Sequence, residues 1–246
     1  MFKMKKLYSL LLIVALVCLI SLNAASAADV NGNNFTALND TISHNKDINL
    51  KNDIIVNDSE IIDFAEGIII NESKTINGNG FSIDGNNKVR IFNITNSSAI
   101  LTLKDITLKN GNATRGSAIY SNDTVYLICN DDVTFKNNNA TLFGGAIYSG
   151  NDVIIEGTGD LIFNNNTAYG GGAIRAEKSV VIDSFGDVCF NNNIAGGSGG
   201  AIYSKKGIVD ITSRKGKVTF ENNEALNSGG AIYALEYVVF NVDEDA

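Results

Sequence analysis

The sequence of 246 residues has a formal net charge of −8 and a hydrophobic fraction of 44%, with one histidine, three cysteines and neither proline nor tryptophan. The hydrophobic fraction excludes a disordered chain, and the acidic balance has the wrong sign for binding nucleic acid through its phosphates or for binding anionic lipid. A metal site built from several histidines is excluded as well. We therefore expect a folded protein whose partners are neither nucleic acids nor membranes.

The first 27 residues have the organisation of a secretory signal peptide. Three lysines precede an apolar run at residues 7–22, and Ala25 and Ala27 flank Ser26 as in an A-x-A cleavage site. The apolar run is shorter than the ~20 residues that usually cross a membrane. We therefore expect cleavage after Ala27, no membrane insertion after cleavage, and an extracellular or cell-surface location for the mature chain.

Residues 28–99 are expected to form an N-terminal cap and irregular coils, continuous with the regular repeats of residues 100–246. Phe35, Leu38 and Ile42 share one face of a short helix, and Asn34 stands before it as an N-cap. Such a helix would cover the open end of a stack of strands, as solenoids require. The alternative for this segment is a loop.

The regular region consists of units that repeat every 27 to 30 residues. Between the repeated motifs, apolar residues alternate with polar ones, which predicts strands with one buried face. Each unit is expected to contain a strand, a tight turn, a second strand, an Asn-rich turn, a Gly-rich turn and a short strand. The motif Gly-(Gly/Ser)-Ala-Ile has its alanine at Ala118, Ala146, Ala173, Ala201 and Ala231, and the motif Phe-x-Asn-Asn begins at Phe135, Phe163, Phe190 and Phe220.

Short units with about three strands and no helical period are typical of a parallel β-helix, in which successive coils stack at about 4.8 Å. An asparagine at a fixed turn position then hydrogen-bonds to the asparagines above and below it, and glycines supply the positive φ angles of sharp corners. We predict an all-β fold, a single-stranded parallel β-helix that forms one continuous domain.

Two cysteines remain after cleavage, Cys129 and Cys189. They lie about two coils apart, which is roughly 10 Å along the axis, beyond the ~7 Å Cα separation that a disulfide allows. The alignment of the repeats also puts them in different columns. We expect two free thiols.

The paired motifs GGA(I/L/V) and F-x-x-N resemble the repeat of polymorphic outer-membrane proteins of bacterial surfaces. The stretch at residues 75–87, TINGNGFSIDGNN, is similar to the adhesin-like proteins of methanogenic archaea. The resemblance implies a right-handed parallel β-helix of the pectin-lyase-like kind, in a secreted or surface-displayed protein of cell adhesion. The matching motifs are Gly145-Ala146-Ile147 with Phe135 and Asn138, Gly172-Ala173-Ile174 with Phe163 and Asn166, Gly200-Ala201-Ile202 with Phe190 and Asn193, and Gly230-Ala231-Ile232 with Phe220 and Asn223.

Pectin-lyase-like enzymes share this fold, so a polysaccharide lyase or hydrolase is the alternative function. Hydrolysis needs paired carboxylates, and the column of Asp132, Asp160 and Asp187 could in principle hold Ca²⁺. Aspartate beside glycine and asparagine is also ordinary turn chemistry, and the sequence RKGK interrupts the column in the fourth coil. We expect no catalytic residue, no metal and no cofactor.

The residue after each Gly-x-Ala-Ile motif forms a further column. If the isoleucines point inward, strand alternation turns this column outward, where aromatic rings and a guanidinium suit sugar rings or a partner protein. Alternatively, the stacked tyrosines only stabilise adjacent coils. The candidate ligand-binding residues are Tyr120, Tyr148, Arg175, Tyr203 and Tyr233.

Asn-x-Ser/Thr sequons at Asn93, Asn112, Asn139 and Asn165 are candidate glycan acceptors in an exported chain. Asn165 is expected to be occupied by stacking in the asparagine ladder instead.

The sequence therefore predicts a non-catalytic, adhesin-like protein that binds glycans or proteins of host or neighbouring cells through the side of a β-helix. The alternatives are the polysaccharide lyase or hydrolase, and a truncated remnant of a larger adhesin.

Overall fold

The computed structural model describes residues 26–242. The predicted signal peptide, residues 1–27, lies outside the described residues except for its last two positions. The chain is 48% β-strand and winds into a solenoid of about seven turns, here called coils, with one α-helix in the described part. The predicted all-β parallel β-helix is confirmed.

The elements follow one another along the chain without long loops. The helix α1 spans Phe35–His44, and a single 3₁₀ turn spans Asp58–Glu60. The strands up to the first repeat are β1 (Ala28–Asp29), β2 (Asp47–Asn49), β3 (Ile54–Ile55), β4 (Ile68–Ile70), β5 (Lys74–Asn77), β6 (Ser82–Asp84), β7 (Phe92–Ile94), β8 (Ile100–Lys109), β9 (Asn112–Arg115) and β10 (Ile119–Ser121). The later strands are β11 (Val125–Lys136), β12 (Asn139–Phe143), β13 (Ile147–Ser149), β14 (Val153–Gly157), β15 (Leu161–Asn164), β16 (Thr167–Ala168), β17 (Ile174–Ala176), β18 (Val180–Ser184), β19 (Val188–Asn191), β20 (Ile194–Ala195), β21 (Ile202–Ser204), β22 (Val209–Ser213), β23 (Val218–Glu221), β24 (Glu224–Ala225), β25 (Ile232–Ala234) and β26 (Val238–Val242).

Three parallel sheets run along the solenoid. The largest has 14 strands, with the order β1-β2-β5-β8-β11-β14-β18-β22-β26 and with β3, β6, β15, β19 and β23 attached to it. The second has seven strands in the order β25-β21-β17-β13-β10-β7-β4, and the third has five in the order β24-β20-β16-β12-β9. The third sheet lies between the Asn-rich and Gly-rich turns, where the sequence predicted no strand.

Side chains of the same type stack in the interior at the coil spacing. Phe135, Phe163, Phe190 and Phe220 form a column whose neighbouring ring centroids are 4.7 to 4.9 Å apart. The first three are fully buried. Each phenylalanine pairs in register with its counterpart in the next coil, so the alignment of the repeats is confirmed residue by residue.

The helix α1 caps the N-terminal end of the solenoid, as predicted. The side chain of Asn34 accepts a hydrogen bond from the backbone N–H of Ala37 at 2.9 Å. Phe35, Leu38 and Ile42 are buried, and the helix contacts β2, β3 and β4. The apolar face of the helix therefore closes the core where the first coils begin.

The two asparagines of each Phe-x-Asn-Asn motif have different structural roles. The first of them, as in Asn165, has a φ of 52 to 57° and forms the left-handed corner. The second points inward, and its side chain bonds to its counterpart in the next coil with Nδ2–Oδ1 distances of 2.9 to 3.1 Å. We call these second residues the asparagine ladder: Asn138, Asn166, Asn193 and Asn223. The predicted ladder is thereby confirmed. Asn165 lies outside it, although its Nδ2 donates to Oδ1 of Asn137 at 2.8 Å, so its amide is stacked as expected.

The two residues before each Ala-Ile pair are small for two different reasons. The first, as in Gly171 with a φ of +67°, needs left-handed backbone. The second, as in Gly172, lies against the next coil, because a Cβ there would be 2.0 Å from the carbonyl oxygen of Gly200. Backbone contact between coils thus fixes this glycine.

Cys129 and Cys189 are both free, as predicted. Cys129 pairs in register with Gly157, and Cys189 pairs with Ile162, so the two thiols occupy different columns. Burial raises the pKa of the Cys129 thiol to about 12. Between residues 26 and 242, none of the helices has the length and apolar character needed to span a bilayer.

Candidate binding surface on the side of the solenoid

The predicted ligand-binding residues form one straight column on the second sheet. They occupy the central positions of β10, β13, β17, β21 and β25, and each pairs in register with the next. The isoleucines that precede the first four are fully buried, so the column faces outward as strand alternation requires. We call Tyr120, Tyr148, Arg175, Tyr203 and Tyr233 the tyrosine column.

The members of the tyrosine column stack on one another. The rings of Tyr120 and Tyr148 are parallel with centroids 5.6 Å apart, and those of Tyr203 and Tyr233 are 4.7 Å apart. Arg175 replaces a ring in the middle, since its guanidinium carbon lies 4.3 Å from the centroid of Tyr203. The planar cation continues the stack through cation–π contact.

A second layer, which the sequence did not reveal, covers the centre of the column. The ring centroid of Phe143 lies 3.8 Å from the guanidinium carbon of Arg175 and 6.3 Å from the ring centroid of Tyr148. The guanidinium of Arg115 lies 5.5 Å from Phe143 and 5.4 Å from Tyr148. Tyr148 and Arg175 are consequently only 6% and 5% exposed, whereas the outer members of the column remain half-buried.

The signal for this second layer was the residue before each Gly-(Gly/Ser) pair. Arg115, Phe143 and Gly170 occupy that position in successive coils and pair in register. Gly170 leaves the space that the neighbouring arginine fills, because a Cβ there would be 3.0 Å from Nη1 of Arg175. A larger residue at position 170 would therefore displace the guanidinium of Arg175.

The charge of Arg175 is neutralised within the protein. Its Nε and Nη2 donate to Oε1 of Glu177 at 3.2 and 3.0 Å, and Nζ of Lys205 lies 2.7 Å from Oε2 of the same carboxylate. Burial opposes ionisation of Glu177, but the hydrogen bonds from Lys205 and Arg175 hold its pKa below the ordinary value. Burial also raises the pKa of the Tyr148 phenol. Arg175 thus reaches a ligand only at its small exposed edge.

The aspartates considered above as a calcium site, Asp132, Asp160 and Asp187, instead accept hydrogen bonds from the turns of the next coils. Oδ1 of Asp132 accepts a hydrogen bond from the backbone N–H of Asp160 at 3.1 Å, and Oδ1 of Asp160 accepts one from Asp187 at 2.8 Å. Asp187 accepts in turn from the backbone of Lys217 at 2.8 Å. Each carboxylate therefore ties one coil to the next. Among residues 26–242, no group of three or more His, Cys, Asp or Glu side chains is placed to hold a metal ion.

Comparison with known families gives two matches. Residues 33–148, a little under half of the chain, match a pectate lyase-like adhesive domain. Residues 160–177, 187–205 and 217–235 match the Chlamydia polymorphic membrane protein repeat. No curated protein and no solved structure matched the chain. Each of the three repeat matches contains one F-x-x-N and one GGAI motif, so the resemblance to polymorphic membrane protein repeats expected from these motifs is confirmed. The matches to these repeats and to the pectate lyase-like adhesive domain lie on one β-solenoid.

Proposed function

We propose that this is an exported, non-catalytic, adhesin-like protein of the cell surface or extracellular space, which binds surface glycans or proteins of other cells through the side of its β-helix. The observation that carries the proposal is the register of the tyrosine column. It places four tyrosines and one arginine in a straight line over five successive coils. A linear array suits an extended polymer or a surface, and the match to an adhesive domain agrees with this.

The part of the column that meets the partner is its outer edge. Tyr120, Tyr203 and Tyr233 are half-buried, and one face of each ring is stacked on a neighbouring tyrosine. The hydroxyl of Tyr120 donates to Oδ1 of Asn122. The half-exposed hydroxyls of Tyr203 and Tyr233 are therefore the hydrogen-bonding groups that this face offers to a glycan or a protein.

The test removes the hydroxyl groups and keeps the stack. We expect the double variant Tyr203→Phe/Tyr233→Phe to adhere about 30-fold more weakly to immobilised cells, since two hydrogen bonds of about 1 kcal/mol each are lost. Its free energy of unfolding stays close to that of the wild type, because the rings still stack. Tyr126→Phe on the largest sheet is the matched control. Equal adhesion of the double variant and the wild type would contradict the role of this face.

A polysaccharide hydrolase is the second candidate, and one observation favours it. Glu156 and Asp183 lie side by side on neighbouring coils, where burial and then the charge of Asp183 raise the pKa of Glu156. Arg214 donates to Asp183 from Nε at 2.7 Å. Glycoside hydrolysis requires a pair of carboxyl groups, of which the general acid has a raised pKa. Incubation with polyuronates and neutral glycans, with and without Ca²⁺, distinguishes the candidates: product release that Glu156→Gln abolishes supports the hydrolase, and retention without product supports the adhesin.

A further inference from the structure

A groove of about 490 Å³ runs along the Asn-rich corner of the solenoid, on a different side from the tyrosine column. Its floor is the row of left-handed corner residues Asn137, Asn165, Asn192 and Asn222, which recur at one position in four successive coils. Asn164 lines one wall and Ile194 the other. We call this feature the asparagine groove. It extends over three coil steps of about 4.8 Å, or about 14 Å in all.

Several amides in the asparagine groove have no hydrogen-bond partner within the described part of the chain. The side chains of Asn164, Asn192 and Asn222 form no side-chain hydrogen bond there, whereas the asparagine ladder directly beneath is fully bonded. The left-handed backbone of a corner accepts glycine at least as well as asparagine. The corner geometry alone therefore does not explain why amides stand at all four positions.

The chemistry of the groove selects a neutral, hydroxyl-rich ligand. Each primary amide offers two donors and one acceptor oxygen, which complements hydroxyl groups that both donate and accept. The two central coils contribute no charged residue to the groove, while Lys136 lies at one end and Glu224 at the other. A polyanion would meet that carboxylate and the acidic chain as a whole. The side chain of Ile194, 43% exposed, offers an apolar patch for the face of a sugar ring.

We propose that the asparagine groove binds a neutral polysaccharide that lies extended along the solenoid axis. The amides recur at the coil spacing, and an extended β-linked sugar chain advances by a similar distance per ring, so successive sugars meet successive asparagines. Ile194 contacts one ring face while Asn164 and Asn192 bond to hydroxyl groups. This inference deepens the proposed adhesive function by naming a ligand class and a second contact surface.

The experiment measures binding of neutral β-1,4-linked hexasaccharides of glucose, mannose and xylose, and of hexagalacturonate, by titration calorimetry with the mature chain. The test variant is Asn164→Ala/Asn192→Gly, which removes two free amides and keeps the left-handed corner. Asn87→Gly is the matched control, since Asn87 is an exposed asparagine with a φ of 54° outside the groove. Circular dichroism establishes that all variants are folded.

We expect at least one neutral hexasaccharide to bind to the wild type. The double variant should bind it about tenfold or more weakly, since two hydrogen bonds of about 1 kcal/mol each are lost. The control should bind it as the wild type does. Hexagalacturonate is expected not to bind. Equal affinity of the double variant, tighter binding of hexagalacturonate, or binding of none of the neutral hexasaccharides would each overturn the proposal. Adhesion of the wild type to cells, measured in parallel, shows whether the adhesive function stands when the groove proposal fails.

Discussion

Replacing Asn166 by alanine tests whether the asparagine ladder holds the coils together. Asn166 is fully buried, and its amide makes four hydrogen bonds. Oδ1 accepts from the backbone N–H and from Nδ2 of Asn138, at 3.0 and 3.1 Å. Nδ2 donates to the carbonyl oxygen of Phe135 and to Oδ1 of Asn193, both at 3.0 Å. The substitution removes all four bonds at once.

The size of the effect depends on which partners keep another bond. Nδ2 of Asn138 retains the carbonyl oxygen of Leu108, and Oδ1 of Asn193 retains the backbone N–H of Asn166. The backbone N–H of Asn138 is left buried without a partner, which costs about 1–3 kcal/mol, and each remaining lost bond contributes a net of about 0.5–1.5 kcal/mol. We therefore expect the free energy of unfolding to fall by about 5 kcal/mol, within a range of about 2.5–7.5 kcal/mol.

Urea denaturation followed by far-ultraviolet circular dichroism measures this change. Asn165→Gly is the control, because it changes the adjacent exposed asparagine and preserves the left-handed corner. It loses only the exposed hydrogen bond from Asn165 to Asn137, so we expect it to cost about 1 kcal/mol. The reasoning is refuted if Asn166→Ala and Asn165→Gly unfold at the same urea concentration. That result would mean that stacked apolar columns, and not the amides, hold the coils in register.

Three further predictions concern other positions. Gly172→Ala should lower the free energy of unfolding by about 3 kcal/mol or more, since its Cβ would be 2.0 Å from the carbonyl oxygen of Gly200. Gly196→Ala should be tolerated, because its Cβ would be 3.6 Å from the nearest atom. Equal urea midpoints of the two variants would contradict this prediction. The raised pKa of Cys129, about 12, predicts no alkylation of this thiol by iodoacetamide at about pH 8 until the protein is unfolded, so complete labelling of the native protein would count against it. Burial and then Asp183 raise the folded pKa of Glu156, so its contribution to stability is present below the unfolded pKa and is lost as pH rises through the folded pKa. Glu156→Gln should therefore stabilise the protein at about pH 7 and not at about pH 4, and a gain that is the same at both pH values would argue against this assignment.

The fold could be predicted from the sequence because a solenoid makes its long-range contacts at a constant sequence separation. Val125, Val153, Val180 and Val209 align in the sequence, pair in register and are all buried. Once the repeat length is known, each residue's neighbour above and below is known too. The helix cap was equally predictable, since an N-cap asparagine and three apolar residues on one face are local signals.

The strands of the third sheet could not be predicted in the same way. Three of its five strands, Thr167–Ala168, Ile194–Ala195 and Glu224–Ala225, are only two residues long, too short for any alternation to be detected. They are strands because the coils above and below supply hydrogen-bond partners. Their pairing is imposed by the stack, so a single unit read alone shows only a turn.

The low exposure of Tyr148 and Arg175 was the least predictable feature of the tyrosine column. Its cause also explains why an arginine fits in the middle of the column. Strand alternation gives the direction of a side chain but not what covers it, and Arg175 is covered by Phe143, the last residue of β12 in the preceding coil. A bulky residue at the equivalent position of the next coil would collide with the arginine, and that position is Gly170. The arginine, the phenylalanine above it and the glycine beside it therefore form one packing unit between two coils. The guanidinium of Arg175 is thus held inside this packing unit and is only 5% exposed, whereas Tyr203 and Tyr233 remain half-buried.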